Sequence, residues 1–282
     1  MDVHLNIPYT NDPTSPRQAL DLFLPHGSSS ASPLLVFIHG GAWRSESKED
    51  FTQTLMPSLV RSTSLPLACL EYRLAPTSPH PAQALDSLSG LSLLTSPSLL
   101  PLENGSPRWD RNSIYLIGHS AGAFIALSLV LRPPKGSRLD GAVEREVRRA
   151  VKGVVCVDGI YDLPSLLEEY PAYDSFVNDA FGLEPSYLAQ ESPARWELVD
   201  EEGEGERELK ILVLHSKEDE LLSLRQPEMF VERFMARLEG KAGRGSVEVD
   251  FESLKDGHAQ LLEREELPLA VGEWDINGVN VM

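Results

Sequence analysis

The chain has 282 residues, of which 41% are hydrophobic, enough to bury the sheet of one large α/β domain. Its 25 basic and 43 acidic residues leave a net charge of −18, which argues against nucleic acid and anionic membrane as partners. The two cysteines, Cys69 and Cys156, sit in apolar runs without metal-ligand spacing, so neither a disulfide framework nor a metal site is expected.

The start of the chain, Met1-Asp2-Val3-His4-Leu5-Asn6, lacks the basic and apolar regions of a leader peptide. No stretch reaches the length of a membrane span, and the expected location is the cytoplasm. Residues 1–24 read as two edge strands. Leu34–Ile38 reads as a buried parallel strand, and His39-Gly40-Gly41-Ala42-Trp43 follows it directly. Glycines in such a loop let the backbone itself approach a substrate oxygen. Gly40, Gly41 and Ala42 are therefore candidates for one side of an oxyanion hole. A helix is expected over residues 50–61, a strand over 65–71, and a second helix over 81–94 with Pro81 in its first turn. Residues 96–109 are a Pro/Ser/Gly loop.

Ile114-Tyr115-Leu116-Ile117-Gly118-His119-Ser120-Ala121-Gly122 is the most informative stretch. An apolar strand runs into Gly-x-Ser-x-Gly and then into the helical run of residues 123–131. A serine at a sharp strand-to-helix turn is forced outward, and the flanking residues must be tiny for the turn to close. The helix also points its positive end at the serine, where negative charge would develop. Ser120 is thus a candidate nucleophile, and the Ala121 amide the second candidate oxyanion donor.

Farther along, Val151–Val157 reads as a strand ending in Asp158-Gly159, where Asp158 reads as a turn cap. Residues 160–196 are rich in aromatics and prolines, show no clean strand, and are expected as a small cap-like insertion over the site. Residues 200–206 read as an acidic solvated loop. Leu209–Leu214 is the next strand, Arg225–Leu238 an amphipathic helix, and 247–251 the last strand before a helical end. Strands alternating with helices imply one α/β domain over 1–282, a mostly parallel twisted sheet with helices on both faces.

A serine hydroxyl needs an imidazole base and a carboxylate that orients it. Behind a strand–turn–helix nucleophile these follow in the order acid, then histidine. Only His215 and His258 lie after Ser120 and its neighbour His119. His258, in Lys255-Asp256-Gly257-His258 after the last strand, is the candidate base, and Asp219, after the penultimate strand, the candidate acid. No His-Glu-x-x-His, Cys-x-x-Cys or phosphate-binding glycine loop is present, and no cofactor is expected.

Gly118-His119-Ser120-Ala121-Gly122 together with His39-Gly40-Gly41-Ala42-Trp43 resembles the fungal-type kynurenine formamidases (arylformamidases) of the α/β-hydrolase superfamily. The likeness continues in Asp158-Gly159-Ile160-Tyr161-Asp162-Leu163, in Glu169-Tyr170-Pro171, and in His215-Ser216 with Asp219-Glu220-Leu221-Leu222. It implies a triad of Ser120, Asp219 and His258 and cleavage of N-formyl-L-kynurenine to L-kynurenine and formate, a step of tryptophan breakdown that feeds NAD synthesis. Trp43 first, and the insertion aromatics Tyr161, Tyr170, Tyr173, Phe176 and Phe181, are then candidates for lining the aromatic leaving-group side, and Arg225, or Arg73, for holding the substrate carboxylate. Tyr72-Arg73-Leu74-Ala75-Pro76 also resembles hormone-sensitive-lipase-type carboxylesterases, which keeps a short-acyl esterase as the alternative. A homodimer is left open by the sequence.

Overall fold

Eight strands form one sheet in the computed structural model, which describes residues 1–10, 15–96, 108–198, 208–239, 245–274 and 276. In chain order they are β1 (Asp2–Pro8), β2 (Ala19–Leu24), β3 (Leu34–Ile38), β4 (Leu67–Leu70), β5 (Ile114–His119), β6 (Val151–Val157), β7 (Leu209–Leu214) and β8 (Gly245–Asp250). Their spatial order is β1-β2-β4-β3-β5-β6-β7-β8. β1 and β2 pair antiparallel, as do β2 and β4, and every pairing from β4 to β8 is parallel.

The central strands are near-continuous apolar runs because helices cover both faces. The period-2 alternation divides them between two cores. Leu34, Val36 and Ile38 of β3 pack with Phe124 and Phe230 on one face. Leu35 and Phe37 pack on the other with Leu59 and Leu267, from the helices Leu55–Thr63 and Glu266–Glu273. The helix Ala121–Val130 is buried at every position, which explains why it shows no polar stripe.

β3 has β4 on one side and β5 on the other, so the chain leaves it in one direction and returns on the opposite side. Such a reversal opens a crevice at the carboxyl ends of the strands. The loop after β3 and the turn after β5 face each other across it.

The expected helix over 50–61 is broken into Glu49–Thr52 and Leu55–Thr63. Thr52 Oγ1 bonds the Lys48 carbonyl at 3.0 Å and Asp21 at 3.1 Å, drawing the short first segment toward β2. The strand expected over 65–71 shortens to Leu67–Leu70, and the expected helix over 81–94 is Ala82–Thr95. Residues 160–196 contain no named strand and fold as short helices, among them Leu163–Glu169, Asp174–Phe181 and Pro185–Gln190. Asp162 and Glu184 cap two of these by accepting the Ser165 and Tyr187 amides, each with a proline in the first turn. The acidic run at 200–206 and most of the 96–109 loop lie outside the described residues. Among the described residues, no helix is long and apolar enough to cross a membrane.

Candidate active site

Ser120 sits between β5 and its helix with φ 54° and ψ −118°, a conformation an L-residue adopts only under constraint. Backbone bonds supply that constraint. The Ser120 amide donates to Val157 at 2.9 Å, and its carbonyl accepts from Ala123 at 3.1 Å and Ile160 at 3.3 Å. The flanking glycines are required by contact. A Cβ on Gly118 would lie 2.4 Å from the Gly122 carbonyl oxygen, and one on Gly122 would lie 2.1 Å from that of Ile38.

The loop after β3 is also held in the left-handed region, with φ 81° at Gly41, 50° at Ala42 and 60° at Trp43. The Gly41 carbonyl accepts from the Arg44 and Ser45 amides at 3.0 and 2.9 Å. The Tyr72 hydroxyl lies 2.6 Å from the Gly40 carbonyl, and its ring stacks on His39 at 4.1 Å. Among the described residues, the amides of Gly41, Ala42 and Ala121 donate to no acceptor, so they are unspent donors beside Ser120. The Gly40 amide differs, since it faces the Glu46 carboxyl.

His258 follows β8, and its Nδ1 lies 2.7 Å from Asp219 Oδ2. The carboxylate fixes the proton on Nδ1, which leaves Nε2 as the basic nitrogen. Asp219 Oδ1 accepts the Leu221 and Leu222 amides at 2.7 and 2.9 Å. Burial pushes the Asp219 carboxyl up, but the His258 imidazole and these two amides outweigh it and hold it below the usual carboxylate range. The base is pinned as well: its amide donates to Glu220 at 2.9 Å, and His119 Nε2 donates to its carbonyl at 3.0 Å. Burial, then the neighbouring His258, pushes His119 down to about 3, so it stays neutral beside the base. His215, the other histidine considered, is spent on structure. It is buried, and its Nε2 donates to the Leu222 carbonyl at 3.0 Å.

Ser120 and His258 line one cavity of about 260 Å³ with Gly41, Ala42, Tyr173 and Phe176. No hydrogen bond joins the serine hydroxyl to the imidazole here. Such bonds tighten when substrate fills a site.

Three of the expected recognition residues lie elsewhere. Trp43 is 1% exposed and packs edge-on against Phe124 and Phe181, beneath the cavity and not on its wall. Tyr161 is fully buried and stacks on Phe230 at 4.7 Å. Arg225 pairs with Glu168 and lines a separate cleft with Arg195 and Arg233. Arg73 is likewise engaged, by Asp86. The aromatic wall comes from Tyr173 and Phe176, two of the insertion aromatics expected to line it, and the Tyr173 hydroxyl is tied to the Leu221 carbonyl at 2.8 Å.

Asp158 is also misjudged as a turn cap. It is fully buried with φ 42°, and its Oδ2 lies 3.9 Å from His258 Nδ1 and has no hydrogen-bond partner. Oδ1 accepts the Ser216 amide at 2.8 Å. Asp158, Asp219 and His258 bring ligand-type atoms within 4.8 Å of one another. Burial, then the Asp219 charge, pushes the Asp158 carboxyl well above the usual carboxylate range and favours its protonated form. The ordinary value for the unfolded chain is 3.8, so folding takes up a proton. The stability this gives is complete below the ordinary value and is lost as pH rises from there through the raised one. Asp158→Asn keeps the shape of the side chain and removes the titration. Its thermal unfolding midpoint should gain on wild type between pH 5 and pH 8.5. A constant difference across that range would refute a protonated Asp158.

A family model described as BD-FAE matches residues 20–234. Kynurenine formamidase of Meyerozyma guilliermondii is 33% identical over 72% of this chain and 71% of its own length. That of Eremothecium gossypii is 35% identical over 70% and 77%. Among solved structures, a truncated carbohydrate esterase from gut microbiota superposes with a TM-score of 0.73 at 16% identity, covering 97% of this chain and 95% of that one. At that identity the likeness is one of fold, the α/β-hydrolase fold.

Proposed function

This chain belongs to the BD-FAE family and to the kynurenine formamidases, and on that premise we propose that it hydrolyses N-formyl-L-kynurenine to L-kynurenine and formate with Ser120, His258 and Asp219 as its catalytic triad. The observation that carries this reading is the 2.7 Å Asp219–His258 bond on the rim where the strained Ser120 turn and the unspent amides meet.

In this mechanism His258 Nε2 takes the hydroxyl proton as Ser120 Oγ attacks the formyl carbon. The carbonyl oxygen becomes an oxyanion held by the amides of Ala121 and of the Gly41-Ala42 segment. As the intermediate collapses, His258 returns the proton to the aryl nitrogen, the carbon–nitrogen bond breaks and L-kynurenine departs. The formyl ester left on Ser120 is attacked by a water that gives its proton to His258. Formate leaves and Ser120 regains its proton. Asp219 stays ionised throughout and steadies the imidazolium.

A formyl group is the smallest acyl group, so little room is needed on the acyl side. The leaving group is a large aryl ketone, which suits the wall of Tyr173, Phe176, Ile160 and Leu222. Two of these come from residues 171–181, so the 160–196 segment acts as a small cap within a single domain. Both cysteines are buried and unbridged, which fits a reducing cytoplasm.

The test is a comparison of kcat/KM for N-formyl-L-kynurenine and p-nitrophenyl butyrate. The formamide should be preferred by about tenfold or more. A preference for the ester would assign the chain to the short-acyl carboxylesterases instead.

A further inference from the structure

One charged residue on the cavity wall takes no part in the mechanism above. Glu46 lines the same cavity as Ser120 and His258, and among the described residues on that wall it is the only carboxylate, with no lysine or arginine beside it. Its Oε2 is buried and has no hydrogen-bond partner. Carboxylates taken out of water are normally paired, because desolvation is costly when nothing replaces the lost solvent. Here no side-chain cation among the described residues reaches the carboxyl. Arg17 comes near but spends its guanidinium on the Glu46 backbone carbonyl at 3.0 Å and on Glu71 at 2.7 Å.

The loop holds Glu46 in place deliberately. Its backbone has φ 65°, a strained value for a non-glycine residue. The contact from Arg17 fixes it on one side, and the Lys48 amide bound to Glu71 at 2.9 Å fixes the chain two residues on. Strain that neighbours hold in place and that delivers an acid without a cationic partner, one oxygen unbonded, to a ligand cavity marks a recognition group.

We propose that Glu46 is the specificity residue that receives a substrate ammonium, placing the α-amino group of the amino-acid leaving group against its carboxylate. This rests on the formamidase reading. The nucleophile and oxyanion donors hold the formyl end, and Glu46 lies on the same loop three residues past Trp43. The substrate cation would then supply the partner that the protein withholds. Burial, with the Asp50 charge, holds the Glu46 carboxyl above the usual carboxylate range, although His39, His258 and the Gly40 amide pull the other way. An arriving ammonium acts in that same downward direction and favours the charged acid.

The experiment compares two substrates that differ only by the ammonium: N-formyl-L-kynurenine and 4-(2-formamidophenyl)-4-oxobutanoate. Wild type should favour the first in kcat/KM by about ten- to a hundredfold, the span of one charge-assisted hydrogen bond. Glu46→Gln is isosteric, and it should erase that preference through KM, with kcat moving far less. The ratio of inhibition constants for L-kynurenine and its des-amino analogue, measured against hydrolysis of p-nitrophenyl acetate, should collapse in parallel. No preference in wild type, or an equal loss on both substrates in the variant, overturns the assignment and makes Glu46 a structural or chemical group. The inhibition arm separates the two ideas. If wild type cleaves neither formamide yet binds L-kynurenine preferentially through Glu46, the ammonium site stands and the formamidase reading falls.

Discussion

Ser120→Ala should lower kcat by about 10⁴- to 10⁶-fold and leave the unfolding midpoint near that of wild type. The loss is large because the hydroxyl is the group that forms and breaks the bond to the formyl carbon. Nothing else on the cavity wall can replace it. Ser45 is on the same wall, but its Oγ is committed to the Gly41 carbonyl at 2.9 Å. Stability should be spared because the turn is set by backbone. The bonds from Ser120 N to Val157 and from Ala123 to the Ser120 carbonyl do not involve the side chain. Alanine is no more strained than serine at φ 54°. The expected change in folding free energy is within about 0.5 kcal/mol. Single-turnover kinetics and thermal unfolding of the same preparation check both halves. Residual activity above about 1% would mean that a different nucleophile attacks, and a large stability loss would mean that the hydroxyl belongs to the scaffold.

The parts of the site that rest on local constraint were legible in the sequence. Gly118, Ser120 and Gly122 declare themselves because a strand-to-helix turn tolerates few residue types, and the loop His39-Gly40-Gly41 does so for the same steric reason. The order of strands then places Asp219 and His258 on the same rim. What was not legible depends on packing between distant segments. Trp43 beside the oxyanion loop looked like a wall residue, yet its ring turns down onto Phe124 and Phe181 because the helix Asp174–Phe181 closes over it. Arg225 looked free to bind a carboxylate, yet Glu168 on a neighbouring helix occupies it. Asp158 has the sequence context of a turn cap, and only the parallel pairing of β6 with β7 brings it to Asp219. Glu46 sits in a polar run, Ser45-Glu46-Ser47-Lys48-Glu49-Asp50, where five neighbours look equally exposed. Its burial follows from a left-handed backbone that no composition rule foretells.

Gly122→Ala should destabilise the fold by more than about 4 kcal/mol, or leave the chain insoluble, whereas Gly27→Ala should be nearly neutral. One methyl group is added in each case. At Gly122 it would lie 2.1 Å from the Ile38 carbonyl oxygen and 2.5 Å from that of His39, while at Gly27 it would meet nothing within 4 Å. Neither carbonyl can step aside. Ile38 ends a central strand paired on both sides, with β4 and with β5. The helix cannot lift away either, since every residue of Ala121–Val130 is buried. Relief would have to come from separating the helix from the carboxyl end of β3, and that movement pulls the Gly41-Ala42 amides away from Ser120. Any folded fraction should therefore lose activity beyond its loss in population. Denaturant unfolding combined with active-site titration measures the two losses separately. A soluble Gly122→Ala protein with wild-type kcat would mean that the turn has room the geometry denies it, and the contact-based reading of Gly118 would fall with it.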